Sequence, residues 1–120
     1  MEVDLFGQVN VDCLNGRLIA GVGGLPAFAA GAQMSPGGRS IIVLPASGGQ
    51  GRVSRIICSA QSQSLIALPR HAADIVVTEY GVAQLRDRTV QQRARALLSI
   101  AAPEFREELG AQWRDVERRL

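Results

Sequence analysis

Three glycines at the junction of two apolar stretches limit what this chain can become more than any other feature. Arg17-Leu18-Ile19-Ala20 reads as a strand-like approach. Gly21-Val22-Gly23-Gly24 follows, and Leu25-Pro26-Ala27-Phe28-Ala29-Ala30-Gly31-Ala32 continues as an apolar run suited to a helix. Glycines at such a junction allow φ > 0 and let a ligand approach the backbone closely. They also leave N–H groups free near a helix N-terminus, where negative charge is welcome. The same residues suit a plain strand-to-helix turn, so two readings stay open at this point.

Nucleotide motifs are excluded here. A dinucleotide fingerprint needs G-x-G-x-x-G and an acid about 20 residues further on. Pro26 occupies the place of the third glycine, and Arg39–Leu44 contains no carboxylate. A phosphate-binding P-loop needs a lysine, and this chain has none, which also removes lysine Schiff-base chemistry. What remains for the turn is an oxyanion or thioester-carbonyl site, or no site at all.

At 120 residues the chain is one domain at most, or a piece of one. A hydrophobic share of 47% argues against disorder. No apolar run approaches the ~18 residues of a membrane span, and no basic-then-apolar leader opens the sequence. A net charge of +2 with few aromatics does not suit a nucleic-acid face. Cys13 and Cys58 lie far apart without metal-ligand spacing, so reduced, buried thiols and a cytoplasmic location are expected, with no metal site.

Val3, Leu5, Val9, Val11 and Cys13 alternate with polar residues at the strand period. Gly7 separates the first two strands, and Asn15-Gly16 is a hairpin signal. Glu2 and Asp4 already lie in strand pattern, so the chain reads as beginning inside a larger fold. A short helix is expected over Pro26–Gln33, ended by Ser35-Pro36-Gly37-Gly38, and a buried strand over Ile41–Leu44. Ala46–Gly51 reads as a loop, mobile or close to a ligand. Val53–Cys58 and Leu65–Leu68 read as strands. Asp74–Thr78 reads as another, leading Glu79 into Tyr80-Gly81 and a short helical turn.

The rest is helical. Thr89 and Gln92 form a capping box ahead of an apolar face of Val90, Ala94, Leu97, Leu98 and Ala101. Pro103 starts a second helix with Phe105, Leu109, Trp113, Val116 and Leu120 on one stripe. Its terminal arginines read as a solvated face, interleaved with acids.

Glu79 is the sharpest chemical candidate, because it ends a buried strand and ligands collect at the carboxyl ends of such strands. A carboxylate there would be partly desolvated. The alternatives are a helix N-cap or an ion pair with Arg70 or Arg86. His71 is the sole histidine and has no serine or cysteine elbow near it, so a loop hydrogen bond is its expected role. Arg39, Arg52, Arg55 and Arg70 flank the strands as phosphate contacts or surface arginines.

Taken together, three segments resemble the C-terminal region of the acetyl-CoA hydrolase/transferase family, which includes acetate and 4-hydroxybutyrate CoA-transferases. The first is Glu2–Asn10. The second is Gly21-Val22-Gly23-Gly24 with Phe28, Gly31-Ala32 and Gly38–Ile42. The third runs Pro69-Arg70-His71, Val76-Val77-Thr78-Glu79-Tyr80-Gly81-Val82-Ala83, Leu85-Arg86 and Arg93-Ala94. Each is weak alone, and the ordered set is strong. Two positions depart from the family pattern: Ala27 stands where an acid usually precedes the phenylalanine, and Asp87 stands where glycine usually follows Leu-Arg.

The resemblance implies an α/β fold, a mixed sheet with helices, with residues 1–120 as the C-terminal part of a CoA-transferase-type domain truncated on its amino-terminal side. It implies transfer of CoA between an acyl-CoA and a small carboxylate through a glutamyl-CoA thioester, which some members hydrolyse. CoA thioester is then substrate, and no cofactor is bound permanently. Gly24 would donate to the oxyanion, with Gly21, Gly23 and Gly24 against the CoA thioester and Glu79 as a second active-site glutamate. The nucleophilic glutamate matches no residue here, since Glu2 matches a strand position. The isolated chain is accordingly expected to be inactive and to associate with the missing amino-terminal portion or with itself. The rival reading is a non-catalytic CoA-binding or assembly module.

Overall fold

A tight turn built by Asp4 starts the fold. Strand β1 (Glu2–Asp4) pairs antiparallel with β2 (Val9–Asn10). Between them the Asp4 carboxylate accepts the Phe6 N–H at 3.1 Å, the Gln8 N–H at 2.8 Å and the Gln8 side-chain amide at 2.7 Å. Gly7 closes the turn at φ +91°, where an added Cβ would also press on Leu85. The computed structural model describes residues 1–14, 16–59 and 65–120.

The alternation from Val9 to Cys13 does not make one strand. Both faces of Val3–Leu5 are buried, and Asn10 interrupts the second strand by bonding the Cys13 N–H and carbonyl, each at 3.0 Å. A separate ribbon of β3 (Cys13–Leu14) and β4 (Arg17–Leu18) follows. The hairpin turn expected at Asn15-Gly16 includes Asn15, which lies outside the described residues. Helix α1 (Leu25–Met34) is close to expectation and ends at the Ser35–Gly38 turn.

Strand β5 (Ile41–Val43) departs from the reading of a buried strand: Ile42 is buried, while Ile41 and Val43 are exposed. Among the described residues, only one face of its sheet is covered. The glycine-rich loop forms a hairpin of β6 (Ser47–Gly48) and β7 (Val53–Ser54). The continuous strand expected over Val53–Cys58 is broken at Arg55, whose N–H bonds the Ala46 carbonyl and whose carbonyl accepts the Val3 N–H. Beyond it, β8 (Ile56–Ile57) pairs parallel with β1, giving the order β2-β1-β8. Leu65–Leu68 is not a strand. Leu68 forms an isolated bridge to Val9.

Strand β9 (Ile75–Thr78) follows the reading and lies parallel to β5. The helical turn expected after it is instead the two-residue corner Glu79-Tyr80 of a hairpin, because Gly81 pairs with Thr78 and β10 (Gly81–Gln84) runs back along β9. The sheet order is β10-β9-β5. Helix α2 (Val90–Ile100) starts at Thr89 with the capping box complete. Helix α3 (Pro103–Glu117) starts at Pro103. Ala94, Leu97 and Ile100 of α2, with Leu109 and Trp113 of α3, join Val3, Leu5, Ile42, Val76 and Leu85 in one core. The Trp113 ring meets Phe6 edge-on at 5.4 Å. Leu120 falls beyond α3 and is exposed. The fold is mixed α/β, as the sequence implied.

Candidate active site

Gly24 stands at the N-cap of α1 with φ −85° and ψ 0°, and its carbonyl accepts the Phe28 N–H at 2.9 Å. No side chain caps the helix, and Pro26 in its first turn has no N–H. The amides left without an intrahelical partner are those of Gly24, Leu25 and Ala27. The left-handed residue is the one before: Gly23 at φ +59°, with open space where a Cβ would go. At Gly24 an added Cβ would come within 3.0 Å of the Phe28 ring. Gly21 to Gly24 are all exposed, and the exposed Phe28 ring lies beside Gly24.

Glu79 ends β9 on the side where β5 also ends. Its carboxylate accepts the N–H of buried Ala46 at 2.8 Å, so it ties the base of the β6–β7 hairpin to the sheet. The corner itself is braced from below. The Thr78 hydroxyl accepts the Tyr80 N–H at 3.1 Å and donates to the Ile100 carbonyl at 2.6 Å. The Arg106 guanidinium lies 5.6 Å from the Tyr80 ring centre, within cation–π range. Glu79 is exposed, not partly desolvated as the strand pattern implied, because the corner of a two-residue hairpin projects past the sheet.

Among the described residues neither alternative role for Glu79 is realised, and it forms no ion pair with Arg70 or Arg86. No helix begins there, and Arg86 is committed to buried Asp74 at 2.9 Å, where it also reaches the Gly38 carbonyl at 3.4 Å. Asp74 further accepts the Ser40 N–H at 2.8 Å. This clamp fixes the entries of β5 and β9, and the sequence reading missed it. The signal was the pairing of an acid at the start of an apolar strand with an arginine just beyond the following one.

The remaining candidates are local. Arg39 bonds the Gly37 and Gly38 carbonyls, and Arg52 bonds that of Gly49. Arg55 lies against Gly48 with Glu2 at 4.0 Å, and the Arg70 carbonyl accepts from Arg93. The carbonyl of His71 accepts from Gln33 at 3.0 Å. Cys13 and Cys58 are free; burial, with Asp4 nearby, pushes the Cys58 thiol up from its ordinary value, which disfavours the nucleophilic thiolate. A cavity of about 850 Å³ lies between β7–β8 and α3, lined by Cys58, Phe105 and Leu109 and by neither Glu79 nor the glycine turn. Among the described residues no helix is long and apolar enough to cross a membrane.

The mixed α/β fold is shared with solved structures of CoA-transferase relatives. Residues 1–113 match the acetyl-CoA hydrolase/transferase C-terminal domain, and the chain belongs to that family. It is 46% identical over 109 residues to the 4-hydroxybutyrate coenzyme A transferase of Clostridium kluyveri, covering 91% of this chain and 25% of that protein. RipA from Yersinia pestis matches with a TM-score of 0.87 at 34% identity, covering 97% of this chain and 26% of that one. The 4-hydroxybutyrate CoA-transferase of Porphyromonas gingivalis matches with a TM-score of 0.73 at 38% identity, covering 99% and 25%. The chain spans about a quarter of the length of the curated relatives it matches.

Proposed function

We propose that this chain supplies part of an active site that moves CoA between an acyl thioester and a small carboxylate, with hydrolysis the variant in which water is the acceptor. The observation that carries this reading is the set of free amides around Gly24, in a chain matching the acetyl-CoA hydrolase/transferase C-terminal domain over residues 1–113. A glutamate carboxylate attacks the thioester carbonyl, whose oxygen becomes an oxyanion. The Gly23-Gly24 backbone donates to it. Such donors act where charge develops, and losing one typically costs roughly 10²–10³ in rate. Collapse breaks the C–S bond and expels the CoA thiolate. The thiolate then attacks the glutamyl carbonyl of the anhydride just formed, releasing the first carboxylate and leaving CoA on the glutamate. The acceptor carboxylate runs the sequence in reverse, with no change in oxidation state.

The attacking glutamate is assigned to the amino-terminal portion that relatives carry ahead of the matched residues. Glu79 is the substrate-side carboxylate, and residues 1–120 are the C-terminal part of the catalytic domain. The phenyl shelf of Phe28 beside the free amides suits an apolar acyl group or the thioester sulfur. The reaction needs reacting atoms about 3 Å apart, so on this reading the attacking carboxylate must be brought to the turn and Glu79 by the amino-terminal portion.

The test uses the Clostridium kluyveri transferase with this chain in place of its matched quarter, supplied with acetyl-CoA and a carboxylate acceptor. A CoA adduct by mass spectrometry and loss of turnover in Gly24→Val are expected. Glu79→Gln should slow turnover at unchanged melting temperature, because the amide oxygen still accepts the Ala46 N–H. The 120-residue chain alone should show no multiple turnover. Turnover by the chain alone that survives Gly24→Val and disappears in Glu79→Gln would instead make Glu79 the nucleophile.

A further inference from the structure

The register of the β10-β9-β5 sheet separates its side chains into two sets. Ile42, Val76 and Ala83 are cross-strand partners, all buried, and belong to the face under α2. Their neighbours in sequence point the other way: Ile41 and Ile75 form one row, and Val43, Val77 and Val82 form the next. Ile41 is 55% exposed, Val43 67% and Val82 57%, with Ile75 and Val77 half-buried. Gln84 completes the first row at the β10 edge, and Arg88 and Arg95 border Val82 there, so the apolar part of the face is centred on β5 and β9. Five β-branched apolar side chains on one open face are what a sheet core presents to a second layer, not to water. Sheets built from parallel strands are usually covered on both faces, and β5 and β9 form the parallel pair of this mixed sheet.

We propose that this open face is the seat of the amino-terminal portion of the family fold, docked as an apolar layer over Val43, Val77 and Val82. The proposal rests on the reading that catalysis needs that portion. What commits it to this occupant is length. The match leaves about three quarters of each relative outside the aligned residues, and the matched domain is described as C-terminal. Helix α1 adds to the uncovered surface, with Phe28 and Met34 exposed and Ala29 its one buried residue. A helix apolar on all sides belongs inside a larger core.

The test compares Val43→Asp and Val82→Asp in two settings, the 120-residue chain and the chimera described above, with Leu120→Asp as an exposed apolar control. In the chain alone both face variants should keep the wild-type circular dichroism and melting temperature, since those side chains face water there. In the chimera each should lower the yield of soluble, monodisperse protein at least tenfold, while the Leu120→Asp chimera matches the wild-type one. A wild-type chimera that assembles but transfers no CoA removes the catalytic reading and leaves the docked face standing. Face-variant chimeras that assemble as well as wild type would overturn the proposal, as would a wild-type chimera that does not assemble. A stable dimer of the chain alone, dissolved by Val43→Asp, would also overturn it and make a second copy the occupant.

Discussion

The two corners assigned to chemistry are held in opposite ways. The Glu79 corner is tied on three sides, through its own carboxylate to Ala46, through Thr78 to the end of α2, and through Tyr80 to Arg106. The glycine turn has no comparable ties. Its residues are exposed, its amides are free, and open space surrounds Gly21 and Gly23. The Glu79 corner is held by contacts within this chain, whereas among the described residues nothing holds the glycine turn in the same way. Removing ties should therefore be costly on one side and nearly silent on the other.

The largest expected effect is at the clamp beneath the braced side. Asp74→Ala strands the Arg86 guanidinium and the buried Ser40 N–H together. Losing one partner of a buried pair is strongly destabilising, although Arg86 remains partly exposed and water recovers some of the cost. A loss of about 2–3 kcal/mol is expected in chemical denaturation of the chain. A loss below about 0.5 kcal/mol would mean that the sheet entry does not depend on the clamp.

Thr78→Val comes next. It keeps the shape and removes the hydroxyl that serves both Tyr80 and Ile100, so about 1–2 kcal/mol should be lost. The same variant sharpens the comparison by hydrogen exchange. The Tyr80 amide should exchange faster while those of α1 do not change. Equal acceleration in both regions would mean that the two corners form one cooperative unit.

How much of this was legible in the sequence follows from range. Thr89 with Gln92, Pro103, the Asp74–Thr78 run and the Ser35–Gly38 stop act through neighbours a few residues away, and each was readable. The breaks at Val11 and Arg55 were not: the first rests on the Asn10 side chain folding back on Cys13, which strand alternation does not record, and the second on long-range hydrogen bonds. Arg55 is shared between the Ala46 carbonyl and the Val3 amide, and no local pattern records that division. The Glu79 corner was misread as helical for a similar reason, since only pairing with β9 shows Gly81–Gln84 to be a strand. Ile41 and Val43 carry the composition of a buried strand, and nothing among the described residues covers them. Glu79 was legible from its place at the end of an apolar strand and Gly24 from the glycine junction, and the family resemblance added the roles expected of them. The geometry adds that Gly23, not Gly24, holds the left-handed backbone.

The smallest expected effects form a matched pair at two left-handed residues. Asp87 sits at φ +59°, the value found at Gly23, a backbone conformation that suits glycine. A side chain in this region costs about 1 kcal/mol, somewhat less for Asp. At Asp87 the backbone cannot relax: Leu85 before it is fully buried, Arg86 is clamped, and Arg88 N–H bonds the Leu85 carbonyl. Asp87→Gly should therefore recover most of that strain, less the extra entropy of glycine in the unfolded chain, for a net gain of about 0.5 kcal/mol. Gly23→Ala imposes the reverse change on a turn that nothing holds, so the backbone can move to negative φ and the cost should stay within a few tenths of a kcal/mol. The two substitutions made singly in the 120-residue chain, compared by denaturant midpoint at equal slope, decide the matter. A Gly23→Ala loss of 1 kcal/mol or more would mean that the glycine turn is already rigid in this chain. The contrast between a finished corner and an unfinished one would then be gone.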